Sequence, residues 1–177
     1  MPYTTLYQNG LQTPESLLVI PQPNMHPVLI ARHMLQLALF LQHRSPDFHK
    51  EIKGLSKPPR VIMERLVDVA SHYVTTNEAL IGSIESLQCI MLESLYQVNT
   101  GNLRQSWVAG RRAMSLAQLM GFHRPDNQTQ YQTQYQTQYQ ALDPKTKYDT
   151  RIMWLHIVTL DRQLCLLLSL PEGCIDH

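Results

Sequence analysis

Charge of either sign is what this sequence most lacks. Fifteen Lys and Arg stand against fourteen Asp and Glu among 177 residues, a formal net charge of +1. No broad positive field exists to draw in phosphate backbones, so tight DNA binding by this segment alone is not expected. Cysteine is equally scarce. Cys89, Cys165 and Cys174 are an odd number at unrelated spacings, which argues against a disulfide framework and fits inert thiols in a reducing compartment. Only 7 glycines are present against 11 prolines, a balance that favours helices joined by proline-marked loops over sheets. Met1 to Gly10 has no basic segment followed by an apolar one; nothing there marks secretion, and the sequon Asn127-Gln128-Thr129 reads as accidental. The longest apolar stretch, Ile152 to Leu170, is interrupted by His156, Asp161, Arg162 and Gln163. Charges at mid-span are costly in lipid, so it is a core helix and no membrane span is expected.

The usual catalytic patterns are missing as well. There is no Gly-rich phosphate loop, no G-x-S-x-G elbow and no H-E-x-x-H helix,. The seven Asp are dispersed with no two adjacent, which disfavours helical enzymes that hold magnesium and a diphosphate. Eight histidines include no i, i+4 pair; the nearest, His43 and His49, flank Pro46 without a third ligand, so they read as surface histidines and not as a metal site. Nothing marks a cysteine as a nucleophile. Arg104, Arg111 and Arg112, with Arg124 beyond, could present a phosphate-binding face, but near-zero net charge favours a solvated helix face,. Asp161 interrupts an apolar helix and must find a partner or stay protonated, and a structural ion pair is favoured over a catalytic acid. The chain is therefore expected to be no enzyme, with no catalytic, metal-ligating or DNA-contacting residue of its own. Were it to bind a small molecule, Asp161 and His156 would be the first suspects.

What is present is helical periodicity. Residues 1–26 are polar and proline-punctuated, with Pro14, Pro21 and Pro23 around Leu17 to Ile20, a loosely ordered lead-in. Pro27 opens a helix to about Gln42, with Leu29, Ile30, His33, Leu37 and Phe40 at helical spacing and a stop at Ser45-Pro46-Asp47,. A second helix is expected from Pro59 to Thr76, with Val61, Ile62, Leu66, Val69 and Tyr73 inward and Arg60, Glu64, Arg65 and Asp68 mostly in water,. The third, Ser83 to Val98, has Ile84, Leu87, Met91, Leu95 and Val98 on one face and Ser86, Glu93 and Gln97 as its polar stripe. A fourth, Leu103 to Met120, has Asn102 as a side-chain cap and Gly121 at the left-handed C′ position,. Its apolar residues cover half the circumference, opposite Arg104, Arg111, Ser115 and Gln118, and imply packing against two neighbours, with Trp107 in the core. Residues 125–147 contain Tyr-Gln-Thr-Gln units from Tyr131 and Tyr135, a low-complexity segment expected to be a mobile loop. A fifth helix follows from Thr150 to Ser169, with Met153, Ile157, Leu160, Leu164 and Leu167 as its packing seam and Pro171 and Gly173 as its stop,. The fold class expected is all-α: a multi-helix bundle of antiparallel hairpins.

The stretch L-Q-C-I-M-L-E-S-L-Y-Q-V-N-T-G-N-L-R-Q-S-W-V-A-G-R-R-A-M-S-L-A-Q-L-M-G-F-H-R, Leu87 to Arg124, closely resembles the regulatory domain, or middle homology region, of fungal zinc binuclear cluster transcription factors. That family has a helix ending at a polar turn, here Asn99 to Asn102, then a helix with an aromatic and an alanine-rich face closed by Gly, an apolar residue, His and Arg. Trp107, Ala113, Ala117 and Gly121-Phe122-His123-Arg124 match that pattern. After a variable loop the family continues with basic residues, tryptophans, Leu-Asp-Arg and a Gly-Arg-Pro-like stop. Arg151, Trp154, Leu160-Asp161-Arg162 and Ser169-Leu170-Pro171 stand there. One arginine and one tryptophan replace what is often more, and Ser169-Leu170 replaces Gly-Arg.

The resemblance covers Pro27 to Pro171. It implies a partial regulatory domain at 27–171, truncated at its C-terminus and followed by a tail at 172–177. The implied role is non-catalytic regulation of transcription in the nucleus. The family's DNA-binding module needs six cysteines holding two zinc ions, and three scattered cysteines cannot form it,. No cofactor is therefore expected in this chain, with zinc only in a module it lacks. Implied partners are other parts of a full-length factor or coregulator proteins, with DNA reached only through the zinc cluster and homodimerisation left open. A helical protein-interaction adaptor and a small-molecule-sensing helical domain are the competing readings.

Overall fold

The computed structural model describes residues 19–43, 57–124, 141–146 and 148–173. Residues 1–18, the Ser45-Pro46-Asp47 stop, His49, residues 125–140 with the Tyr-Gln-Thr-Gln units, Lys147 and Cys174 lie outside them. Among the described residues there are five α-helices: α1 (Pro27–Gln42), α2 (Pro59–Ala70), α3 (Ile84–Asn99), α4 (Leu103–Leu119) and α5 (Thr150–Leu168). No strand occurs among the described residues, so the protein is all-α.

Local chemistry sets the ends. Pro27 and Pro59 occupy first-turn positions where a missing N–H costs nothing,. Ser83 caps α3 in a reciprocal box with Ser86,. Asp149 caps α5 by accepting from the N–H groups of Arg151 and Ile152. Helices α3 and α4 both close on left-handed glycines: Gly101 (φ 83) and Gly121 (φ 80). Around Gly121, the Phe122 N–H bonds to the Ala117 carbonyl and the Gly121 N–H to that of Gln118, the paired closure that a C′ glycine permits. Asn102 departs from expectation. It precedes α4 but makes no side-chain cap; its amide donates backward to Gln97 and Thr100, so the turn between α3 and α4 claims it first.

The helices stack in the order α2, α1, α3, α4, α5, each chiefly against its neighbours in that series. Contacts of Val28 with Cys89 and of Gln42 with Tyr96 and Asn99 show that α1 and α3 run parallel. Pairing of Arg111 with Asp161 and of His123 with Trp154 makes α4 and α5 antiparallel. Because α3 is central, it serves two cores. Val28, Leu35, Met63, Val67, Cys89 and Tyr96 belong to one; Leu87, Ile90, Ala113, Ala117, Met153 and Ile157 belong to the other. Burying each large aliphatic among them contributes about 1.5–3 kcal/mol.

Which apolar face turns inward differs from the sequence expectation on three helices. On α1 the buried set is Val28, Leu29, Ala31, Arg32, Leu35, Gln36, Ala38 and Leu39, whereas Ile30, His33, Leu37 and Phe40 are half-buried. Ala31 and Ala38 let α1 approach its neighbours closely, and an Arg can be buried there because polar partners await it. On α2 the interior residues are Met63, Val67 and Ala70; Val61 and Val69 are exposed, as is Tyr73 just beyond its end. On α3 the polar stripe is largely inside: Ser86 and Glu93 are buried and Leu95 is exposed. Helix α4 is buried as expected, between α3 and α5. Ser94 and Ser106 exchange hydroxyl-to-carbonyl hydrogen bonds of 2.8 Å across the α3–α4 contact. A Cβ on Gly110 would lie 3.5 Å from Ser94 Oγ, which shows how close the two backbones run. On α5, Met153, Ile157 and Leu164 of the expected seam are buried, but Leu167 is exposed because Asp161 and Cys165 turn inward instead.

The α2 ladder widens into a π-helical turn at Ser71–Thr75, followed by a 3₁₀ turn, Glu78–Leu80. The helical run thus reaches Thr76 as expected, with its last turn π instead of α. The wider turn stacks Ser71 over Thr75 and aims both hydroxyls at Glu93. Satisfying that buried carboxylate offsets the poorer ladder geometry.

Candidate functional site

Three buried carboxylates organise the polar interior, and each ties together segments distant in sequence. Asp161 is 2% exposed. One carboxylate oxygen lies 2.9 Å from Arg111 Nε, without an aligned N–H, so the contact is a charge pair more than a directed hydrogen bond. The other accepts the Gly173 N–H at 2.8 Å. Arg111 also donates to the Pro171 carbonyl, contacts Cys165 Sγ at 3.3 Å and stacks 5.0 Å over the Trp107 ring. A Cβ at Gly173 would overlap Arg111 Nη1 and Met114 Sδ, so a side chain there would have to displace the Arg111 guanidinium. This clamp fastens the end of α5 and the following turn onto α4. Arg111 is therefore no solvated surface residue; it is the partner that a buried Asp161 needs. Asp161 is a structural ion-pair member, and its oxygens are occupied.

Glu85, fully buried at the start of α3, accepts from the N–H groups of Leu142 and Asp143 and from the Thr146 hydroxyl, at 2.9, 3.1 and 2.7 Å. Arg32 reaches the same hydroxyl and Gln88 Oε1, each at 3.0 Å. Residues 141–146 are thus anchored to α3 and α1. A carboxylate in the first turn also meets the positive end of the helix dipole.

Glu93 is held by Ser71 and Thr75, and Arg112 donates to the Thr75 carbonyl. Over α3, between α2 and α4, lies a groove of ≈ 470 Å³ lined by Asp68, Glu93, Gln97, Arg104, Gln105 and Arg112, with Val67, Val108 and Ala109. His156 is half-buried on α5, and neither it nor Asp161 lines this groove.

The remaining signature positions are structural in different ways. Ala113 and Ala117 are core and Gly121 is the helix stop. Trp107 is half-buried, with a buried ring N–H that has no partner among the described residues. His123 is exposed 6.0 Å from Trp154, which packs on the α3–α5 core. Arg124 and Arg151 are exposed, and Arg162 pairs with Glu172 at 3.4 Å. Ser169 adopts the left-handed conformation (φ 55), a physical reason for glycine at that point of the related stop. Cys89 is buried, and desolvation pushes its thiol up to about 12, so it is an inert core group,. Among the described residues no three His, Cys, Asp or Glu converge as metal ligands, and no helix is long and apolar enough to cross a membrane. Sequence reading missed Arg32, Glu85, Glu93 and Arg111 as interior charges. Placement of Arg32 in an apolar helix was the one local signal.

The family model described as fungal specific transcription factor domain matches residues 26–177. The dehydrocurvularin biosynthesis regulator of Aspergillus terreus is 76% identical over 99% of this chain and 23% of its own length. The regulator of the same name from Alternaria cinerariae is 66% identical over the whole chain and 22% of its length. Transcription factor eupR of a Phoma species is 48% identical over 89% of the chain and 32% of its length. The chain thus spans between about a fifth and a third of these relatives. No solved structure matches it. With its helices, its closing glycine and its Asp161–Arg111 clamp all within the matched span, the chain belongs to the fungal-specific transcription factor domain family, a regulatory domain of transcription factors.

Proposed function

We propose that this chain acts as the non-catalytic regulatory segment of a longer nuclear regulator that controls genes for a biosynthetic pathway. The observation that carries this reading is the 76% and 66% identity of nearly all of this chain to parts of two proteins named as biosynthesis regulators. Near-zero net charge supports a role without direct DNA contact,. DNA is reached through a zinc cluster elsewhere in the longer protein, zinc being confined to that module. Partners are other segments of that protein and coregulators. The test replaces the matching segment of the Aspergillus terreus regulator with this chain. Transcription of the dehydrocurvularin genes should be retained; a stable, nuclear but silent chimera would overturn the reading.

A second reading, small-molecule sensing, would have to use the open surface cleft over α3. It places recognition at Arg104, Arg112 and Asp68 and not at Asp161 or His156. Thermal midpoints that stay constant across a panel of pathway metabolites would count against it.

A further inference from the structure

Helix α5 is held differently from the rest of the stack. It packs chiefly on one neighbour, α4. Helix α2, at the other end of the stack, packs on α1 and runs without a break into the π-helical turn, which Glu93 and Arg112 tie to α3 and α4. The apolar seam of α5 is interrupted in its middle by buried Asp161, with Cys165 beside it on the same face. Much of what fastens α5 is polar and lies towards its two ends. Ahead of it, Glu85 of α3 accepts from the Leu142 and Asp143 N–H groups and from the Thr146 hydroxyl. Behind it, Asp161 pairs with Arg111 of α4 and holds the Gly173 N–H at 2.8 Å. Both carboxylates are almost fully buried, and a buried carboxylate stripped of its donors is costly. Each latch is therefore made or broken outright. Between them α5 is one helix of 19 residues, about 28 Å long, and such a helix owes most of its stability to the face it packs.

We propose that α5, with the segments that flank it, is a strap that leaves α4 as one unit, both latches breaking together while the α1–α3 core stays folded. Beneath the strap lies a small-residue and apolar surface of α4. An added Cβ on Gly110 would be 4.0 Å from Leu164 Cδ1, and one on Gly173 would be 2.6 Å from Met114 Sδ, so Leu164 covers Gly110 and Gly173 covers Met114. Opening bares that surface, and the two latches set how often it is offered to another chain. The proposal rests on the geometry of α3, α4 and α5 and stands whether or not the pathway assignment does.

Two thiols already present read the opening. Cys165 is buried on α5 against the Pro171 carbonyl and Arg111; Cys89 is buried on α3 beneath α1, 3.5 Å from the Val28 carbonyl. The 177-residue chain is treated with iodoacetamide under native conditions, and each cysteine is followed separately by peptide mass spectrometry. Cys165 should react at least about tenfold faster than Cys89, because the strap is released without unfolding the α1–α3 core. Thr146→Val removes one donor from Glu85 and should speed Cys165 at least about fivefold, although that thiol lies towards the opposite end of α5. In the other direction, Asp161→Asn should speed hydrogen exchange at the Leu142 and Asp143 amides. Equal rates for the two thiols would show that α5 comes away only with the whole fold. A Cys165 rate indifferent to Thr146→Val would show that the two ends open separately. Either result overturns the proposal.

Discussion

Ser169 sits in the left-handed region at φ 55, where a Cβ is strained and glycine is not. Ser169→Gly is expected to stabilise the chain by about 0.5–1 kcal/mol, read as a higher denaturant midpoint at unchanged slope. At Asp161 the expected effect is opposite. Asp161→Asn removes the charge facing Arg111 and should cost about 3 kcal/mol, at the low end for a broken buried pair because Arg111 keeps partial water access,. A loss below about 1 kcal/mol would show the clamp to be dispensable. Trp107 is half-buried, so Trp107→Ala should cost about 1–3 kcal/mol, less than a fully buried aromatic, and lose its cation–π contact with Arg111,. His33 adds a pH dependence. Burial lowers its pKa below 6.5, so on acidification the unfolded chain takes up a proton before the folded one does. Its contribution to stability is complete above pH 6.5 and declines below it. Unfolding curves of His33→Gln and the parent between pH 8 and 5 should show a shallower acid-side decline for the variant.

At the level of elements, helix existence follows from periodicity and end chemistry. Pro27, Pro59, Ser83, Gly101 and Gly121 act within one or two turns of chain, so their roles can be read locally. Inward faces are another matter. Helices α1, α2 and α3 carry more than one apolar stripe, and periodicity cannot choose between adjacent stripes about 100° apart. The choice falls to packing: Ala31, Ala38 and Ala70 permit close approach, and buried Arg32, Glu85 and Glu93 are tolerated only where partners from other elements meet them. The π-helical turn belongs to the same class, since Glu93, 18 residues beyond Thr75, is what it serves.

For the whole molecule, residues 141–146 matter more than the low-complexity run before them, because Glu85 and Arg32 fix them to α3 and α1. Deleting residues 131–138, two Tyr-Gln-Thr-Gln units, should change stability by no more than about 1 kcal/mol, the scale of altered loop-closure entropy. Extending the deletion through Thr146 should cost several times more, since Glu85 would be left buried without its donors. Thermal melts of the two deletions side by side distinguish these outcomes.

The sequence by itself determined that the chain is helical, where most helices begin and end, that α4 is sandwiched, and, through Trp107, Gly121-Phe122-His123-Arg124 and Leu160-Asp161-Arg162, which family it resembles. These are properties of short windows, governed by backbone geometry, caps and spacing. Only the tertiary structure decided that Arg111 is the partner of Asp161, that Glu85 and Glu93 are interior anchors, that Arg112 reaches across to the α2 side, and that Leu155, Leu166 and Leu167 of α5 are exposed. Each depends on which distant residue supplies a donor, an opposite charge or a covering surface, and local sequence carries no measure of that distance.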